Sequence, residues 1–345
     1  MLHISSPLLA WFDANRRSLP FRDDPTPYHI WISEIMLQQT RMTAVLPYYD
    51  RFMRELPDPA ALAACEPDRL HKLWEGLGYY SRADNLRRAA GIIVEKYNGK
   101  LPRSYEELLS LPGIGEYTAG AIASISMQIP VPAVDGNVLR VFSRLYNDHT
   151  DITLPLTKKR ITAQVCEELP ADMPGNFNQA LMELGALICV PGEPKCSECP
   201  LSSLCAACHA GSAAALPAKA PKKPRRIEDV TVLLIRSDEG WLLSKREEKG
   251  LLAGLWQPMI RINDSVSNAE EALQQILPEA KAERMQELKP SKHLFSHIEW
   301  RMHGWQIDVA GTPSAPTGCV WAKSMADYAI PNAFRAYKGI LNETE

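Results

Sequence analysis

Apolar residues recur at three- and four-residue spacing through 30–46, 61–77, 86–97, 105–111, 117–127, 138–146, 158–169 and 177–188, the pattern of helices with one buried face. Proline and glycine punctuate these runs, as in PDP at 57–59 and PG at 112–113 and 174–175. Residues 1–208 therefore read as a mostly α domain, a compact array of short helices. Past 228 the texture changes: VTVLLIR, SDEG and WLLSKR read as strand, turn and strand, and LWQPMIRI as a third strand. AEEALQQIL follows as a helix with acidic residues in its first turn, then HLFSHIEWRMHGWQIDVA as paired strands and FRAYKGIL as a last helix. Residues 228–345 are thus expected to form a smaller α+β domain. Between the two, 209–227 is rich in Ala and Pro and strongly basic, and reads as an extended linker that is either a solvated tether or one that also touches phosphate.

The totals add bounds. A chain of 345 residues is too long for one ordinary core, in keeping with two domains. No apolar run of about 18 residues, the mark of a membrane span, occurs. The N-terminus lacks a basic segment leading into an apolar one, so a cytoplasmic address is expected. Net charge is −3, divided as +1 over residues 1–226 and −4 over 227–345. Neither value points to nucleic acid, so such a partner must be argued from local features.

Five of the eight cysteines, Cys189, Cys196, Cys199, Cys205 and Cys208, crowd one short stretch. Outside an oxidising compartment such a cluster suggests metal rather than disulfides. Cys189, Cys196, Cys199 and Cys205 are spaced C-x6-C-x2-C-x5-C, which suits an iron–sulfur cluster or a zinc ion. The rival pairing of two CxxC units, at 196–199 and 205–208, has a gap shorter than the usual 15 to 20 or so residues.

LPGIGEYTAG, 111–120, joins two helical patterns. Gly113 and Gly115 permit close backbone approach, and the following helix aims its free N–H groups back at the loop. It is either a phosphate cradle or a simple helix–helix turn. In IWISEIMLQQTRM, Glu34 has apolar neighbours on both sides. It is either a solvated glutamate or a part-buried one with a raised pKa, able to act as a general acid. In VPAVDGNVLRVFSRL, Asp135 precedes a helix, where it would be an N-cap kept ionised by the helix dipole. One carboxyl that keeps its proton beside one that loses it is what cleavage of an N-glycosidic bond requires.

Taken together, LPGIGEYTAGA, VDGNV and the C-x6-C-x2-C-x5-C spacing resemble the helix-hairpin-helix DNA glycosylases with an iron–sulfur cluster. Within them, SEIMLQQT, GLGYYSRA, the basic linker and LFSHIEW are similar to the MutY-type adenine DNA glycosylases, and the resemblance runs in order along nearly the whole chain. It implies a helix-hairpin-helix at about 105–127 whose Gly113 and Gly115 meet DNA phosphate, and a 4Fe-4S cluster on Cys189, Cys196, Cys199 and Cys205, with Cys208 left over. It implies base excision repair of duplex DNA carrying adenine opposite 8-oxoguanine or guanine, by a monomer with no membrane partner. Glu34 would protonate adenine N7 and Asp135 would stabilise the sugar cation or a transient adduct, with Tyr117 and Asn137 assisting. Gln39 and Tyr79 would enter the duplex, Tyr79 beside 8-oxoguanine, and Arg22 and Gln179 would line the adenine pocket.

The C-terminal part resembles the family's Nudix-like domain, in which Phe295, Ser296 and His297 sense 8-oxoguanine; on its own, His297 reads as an ordinary strand residue. From Gly254 onward the Glu-rich box of a Nudix hydrolase is missing, so pyrophosphatase activity is not expected. Two alternatives differ in chemistry. A bifunctional glycosylase/lyase of the endonuclease III kind needs a lysine in the slot of Tyr117. A non-catalytic iron–sulfur DNA-binding protein has no need of both Glu34 and Asp135.

Overall fold

The computed structural model describes residues 2–221, 223–263 and 268–342. They form two compact units, one of residues 1–64 and 85–221, the other of 65–84 and 222–345.

The first unit is helical: α1 (Ser5–Asn15), α2 (Pro20–Asp23), α3 (Pro27–Leu37), α4 (Met42–Glu55) and α5 (Pro59–Ala64). After α6 (Pro67–Trp74), which belongs to the second unit, it resumes within α7 (Ser81–Tyr97). It continues with α8 (Tyr105–Leu109), α9 (Glu116–Met127), α10 (Gly136–Leu145), α11 (Pro155–Glu168), α12 (Pro174–Leu187) and α13 (Ala206–His209). Starts are written locally. Thr26 caps α3 by accepting from the N–H of His29, with Pro27 in the first turn, and Ser104 caps α8 through the N–H of Glu107. The core joins Leu8 and Phe12 of α1, Val138 and Phe142 of α10, and Phe177, Leu181 and Leu184 of α12. α9 packs against both α3 and α12.

Two continuous helical patterns turn out to be broken. The run 30–46 is interrupted after Leu37, the last residue of α3, and Gln39 beyond it takes φ of +60°. The run 61–77 is split ahead of Pro67, which stands in the first turn of α6, where its missing N–H costs no hydrogen bond. The segment expected as an extended linker is also different over 209–221. Ala213 and Leu216 are buried with Ala207, the N–H of Ile152 donates to the carbonyl of Ala218 (3.1 Å), and the segment belongs to the first unit. Its alanines are small enough to bury, and composition read only their lack of bulk.

The second unit is built on a six-stranded sheet of β1 (Arg226–Ser237), β2 (Gly240–Lys245), β3 (Trp256–Ile262), β4 (Ala282–Leu294), β5 (Ile298–Val309) and β6 (Cys319–Ala322). The order is β4-β5-β1-β3-β2-β6, with β1 and β5 parallel from Arg226↔Ile298 to Arg236↔Asp308 and the other pairs antiparallel. β1 is apolar on both faces: Val230, Val232 and Leu234 point to a core with Trp300, Phe334 and Tyr337. Leu233 and Ile235 point to Leu273 of α14 (Ala269–Ile276) on the other. The expected last helix is a 3-10 segment, Asn332–Tyr337, running into a single turn, α15 (Lys338–Leu341). β4 reaches back to Ala282, well before the expected strand. Most of its side chains are exposed, so no apolar alternation announced it.

Candidate active site

α3 is apolar on nearly every side, with Ile30, Trp31, Ile32, Ile35 and Met36 all buried. Glu34 is carried into this environment and is only 6% exposed. Beside it lies a cavity of about 810 Å³ whose wall includes Arg22, Glu34, Gln38, Tyr117, Asp135, Asn137, Gln179 and Glu183. Burial pushes the Glu34 carboxyl up to about 7, Asp135 adds to the rise, and the Tyr117 hydrogen bond and the Arg22 charge work against it. The Tyr117 hydroxyl donates to Glu34 Oε2 and lies 3.2 Å from Met182 Sδ. Burial and the neighbouring carboxyls hold that phenol well above its ordinary range, so it stays a donor.

Asp135 caps α10, with Oδ1 accepting from the N–H of Asn137 (2.9 Å) and of Val138 (2.8 Å), and Oδ2 from Asn137 Nδ2 (2.7 Å). The expectation that the helix end holds this carboxyl low is corrected. Burial outweighs these donors and the Arg140 charge, and its pKa is raised. Of the two carboxyls, Glu34 accepts a single side-chain hydrogen bond and Asp135 three, so the first proton belongs on Glu34. Asn137 is itself fixed, its Oδ1 accepting from Arg140 Nη2 at 2.8 Å. Arg140 also donates to the carbonyls of Gly185 (2.8 Å) and Cys189 (2.8 Å). Gly185 on α12 is required there, because a Cβ would meet Asn137 Cβ at 2.6 Å.

On the far wall, Arg22 donates from Nε to Gln179 Oε1 (3.1 Å) and from Nη2 to Glu183 Oε2 (2.8 Å). Gln39 is exposed and lines the same cavity from the loop after α3. Gly113 and Gly115 lie in the turn between α8 and α9, both exposed. Gly113 has φ of +78°, and a Cβ there would press to 2.7 Å from Asn85 Cβ, so this turn needs glycine twice over. Gly115 caps α9 and carries no side chain to cover the helix N–H groups.

Cys189, Cys196, Cys199 and Cys205 lie along the segment between α12 and α13. Burial and then neighbouring thiols push Cys196 and Cys199 to about 11, and Cys205 is raised as well. Cys208 is a hydrogen-bonding neighbour of Cys196. Arg144, 1% exposed, donates from Nη1 to Cys189 Sγ (3.2 Å) and to the Val190 carbonyl (2.9 Å), from Nη2 to Gly192 O (3.1 Å) and from Nε to Leu216 O (3.1 Å). Among the described residues, no three His, Cys, Asp or Glu side chains gather closely enough for one metal ion.

The remaining candidates meet in the second unit. Phe295, Ser296 and His297 form the turn from β4 to β5, closed by Phe295 N–H on the Ile298 carbonyl (2.8 Å). Tyr79, 51% exposed with φ of +47°, places its hydroxyl 3.0 Å from Ser296 Oγ. Both flank a cavity of about 560 Å³ that also takes in Leu252, His293, Phe295 and His297. His293 packs edge-on against Phe295, 4.6 Å between ring centres, and burial lowers its pKa.

A family model described as HhH-GPD superfamily base excision DNA repair protein matches residues 32–168, and a NUDIX domain model matches 230–338. The adenine DNA glycosylase of Mus musculus is 34% identical, the alignment covering 96% of this chain and 77% of the mouse protein. That of Homo sapiens is 33% identical, covering 96% and 73%. The chain belongs to the adenine DNA glycosylase family. A further family member, from Buchnera aphidicola of Schizaphis graminum, is 36% identical over 72% of each chain. Among solved structures, a thermostable thymine-DNA glycosylase superposes with a TM-score of 0.55 at 29% identity, covering 60% of this chain and 95% of its own. A non-covalent endonuclease III–DNA complex gives 0.52 at 23%, over 61% and 95%, and shares the fold.

Arg17, Met182 and Glu183 of this glycosylase-family pocket escaped the sequence reading, as did Arg140 behind Asn137. Gln179, Met182, Glu183 and Ala186 stand at i, i+3, i+4 and i+7 on α12 and all line the cavity. The usable signal was a polar pair, Gln179 and Glu183, spaced i, i+4 on one face of α12.

Proposed function

We propose that the chain hydrolyses the N-glycosidic bond of adenine mispaired with 8-oxoguanine, or with guanine, in duplex DNA, and leaves the strand uncut. The observation that carries this reading is Glu34, a buried carboxyl held near neutrality, sharing a cavity of about 810 Å³ with Asp135. That volume is of the size that takes a small ligand, about 300–1,000 Å³. The adenine must leave the base stack to enter it, and a mispaired base leaves at lower cost. Glu34, protonated, gives its proton to N7 and makes the base a neutral leaving group. Tyr117 keeps the other side of the carboxyl occupied and so orients it. Asp135, held by Asn137 and the start of α10, faces the electron-poor sugar left behind and stabilises its positive charge. Arg22 and Gln179 meet the base edge, and Gly113 and Gly115 present backbone N–H groups to phosphate. A phenol at position 117 cannot form the Schiff base that strand cleavage by a lyase requires.

Tyr79, Phe295, Ser296 and His297 are the residues we assign to the opposite base, where Tyr79 and Phe295 offer rings for stacking and Ser296 and His297 offer polar atoms. Gln39 enters the duplex beside the vacated position. The family is typically associated with an iron–sulfur cluster, and Cys189, Cys196, Cys199 and Cys205 fit a 4Fe-4S group. Cys196, Cys199 and Cys205 lie close enough to neighbouring thiols, Cys189 among them, for their pKa values to be raised, and thiolates are the donor set that such a cluster takes. When bound, the cluster would supply a rigid cross-link; Arg144 and Arg140 tie its loop to α10.

The test is adenine release from duplexes with A opposite 8-oxoguanine, G and T, with strand breaks scored before and after alkali. Release with breaks only after alkali, abolished in Glu34→Gln with DNA binding kept, is expected. Breaks without alkali would favour the lyase alternative, and unchanged release by Glu34→Gln would remove that residue from the mechanism.

A further inference from the structure

The cavity wall holds a charged side chain that this mechanism does not use. Glu183 lies one turn beyond Gln179 on α12 and is 1% exposed. A carboxylate so deeply buried persists only with partners. Arg17 supplies Nε to Oε1 (2.7 Å) and Nη2 to Oε2 (2.8 Å), and Arg22 supplies Nη2 to Oε2 (2.8 Å). Burial pushes Glu183 up, but these bonds and charges more than offset it and hold its pKa at about 2, so it stays ionised. Arg22 is held at both ends, by Glu183 at Nη2 and by the Arg17 carbonyl at Nη1 (3.2 Å), which leaves Nε aimed at Gln179 Oε1 (3.1 Å).

Guanidinium only donates, so the Gln179 amide must turn its oxygen to Arg22 and its NH2 group the other way, where Nε2 is 3.4 Å from the Gly175 carbonyl. A free amide has no such preference, since its two ends are nearly the same shape. Which end meets a purine is therefore decided two residues away. We propose that Glu183 is the positioning residue of this pocket: by clamping Arg22 it fixes the polarity of the Gln179 amide, and so sets discrimination between 6-amino and 6-oxo purines while touching neither. The inference rests on the reading of the cavity as a base pocket. On the Watson–Crick edge, by which a flipped base is read, adenine offers a 6-amino donor and an N1 acceptor where hypoxanthine offers a 6-oxo acceptor and an N1–H donor. A fixed amide accepts one of them, and a rotating amide accepts both.

The experiment is single-turnover release of adenine and of hypoxanthine from otherwise identical duplexes by the full chain. The wild type is expected to prefer adenine. Glu183→Gln should lower the adenine-to-hypoxanthine rate ratio by about tenfold, the lower part of what one misdirected bidentate pair costs. Glu183→Asp, which keeps the charge, should restore part of it. A wild-type ratio near one, or a Glu183→Gln protein in which both rates fall by the same factor, overturns the proposal, since a merely structural carboxylate would not change the ratio. Should Glu183→Gln fail to fold, Arg22→Lys gives the same readout, because an ammonium cannot bridge Glu183 and Gln179 as the planar fork does. An unchanged ratio there is equally fatal. A wild type that releases no adenine at all would instead sink the base-pocket reading itself.

Discussion

Tyr117→Phe removes one oxygen and leaves the ring in place, and its effect can be worked out beforehand. The hydroxyl donates to Glu34 Oε2, where it favours the ionised carboxylate and lowers a pKa that burial has driven to about 7. A hydrogen bond to a charged group contributes roughly 1.5–3 kcal/mol, and one pKa unit corresponds to about 1.36 kcal/mol. Loss of the donor should therefore raise Glu34 by about 1 to 2 units. A general acid works only while protonated, so the rate falls as pH rises through its pKa. The alkaline limb of adenine release, near pH 7 in the wild type, should move upward by that amount. Below the limb, the rate should fall a few-fold because the weaker acid transfers its proton less readily. The assay is single-turnover adenine release on an A-containing duplex, followed at constant ionic strength from acid to alkaline pH. A limb that stays put, or moves to lower pH, would refute the assignment of Tyr117 as the donor that tunes Glu34.

Four other outcomes follow from the same coordinates. The folded pKa of Glu34, about 7 against the ordinary 4.5, means that stability is lost as pH rises across that window. Glu34→Gln should thus be more stable than wild type at pH 8 by up to about 3 kcal/mol, and no more stable below the window, as thermal melts at both pH values would show. Arg140→Gln removes the hold on Asn137 and leaves the Gly185 and Cys189 carbonyls without their donor, so adenine release should fall about tenfold along with the Tm. Gly113→Ala should cost at least about 1 kcal/mol in denaturant titrations, and Asn85→Gly should relieve the contact with Asn85 but not the backbone strain. Cys189→Ser should lose the visible absorption of an iron–sulfur cluster while Cys208→Ser keeps it; the reverse pattern would favour the double-CxxC pairing.

Legibility in the sequence followed the range of each signal. Glu34 announced itself by standing in an apolar run, Asp135 by preceding a helix, and the thiols by spacing, all of which are local facts. Strand β4 carried no such mark because its side chains are largely exposed. The clustering of 65–84 with the C-terminal residues was equally hidden, since its helix reads like its neighbours. The Asp135 pKa was misread in direction because the donors at a helix start are visible in sequence and the burial that outweighs them is not. Glu183 sat in a run that reads as core, and its two arginines lie more than a hundred residues away.

Gln39 and Tyr79 hold left-handed backbone with full side chains, at φ of +60° and +47°. Each such residue costs roughly 1–2 kcal/mol, drawn from the stability of the fold. What this secures is time. On the proposed reading, each of these residues would meet a base pair with its backbone already bent, so its own φ would not have to change at each stop. The dwell at a pair is then governed by how readily that pair opens. On that reading DNA itself would perform the first sorting, before any atom of the pocket has touched a base.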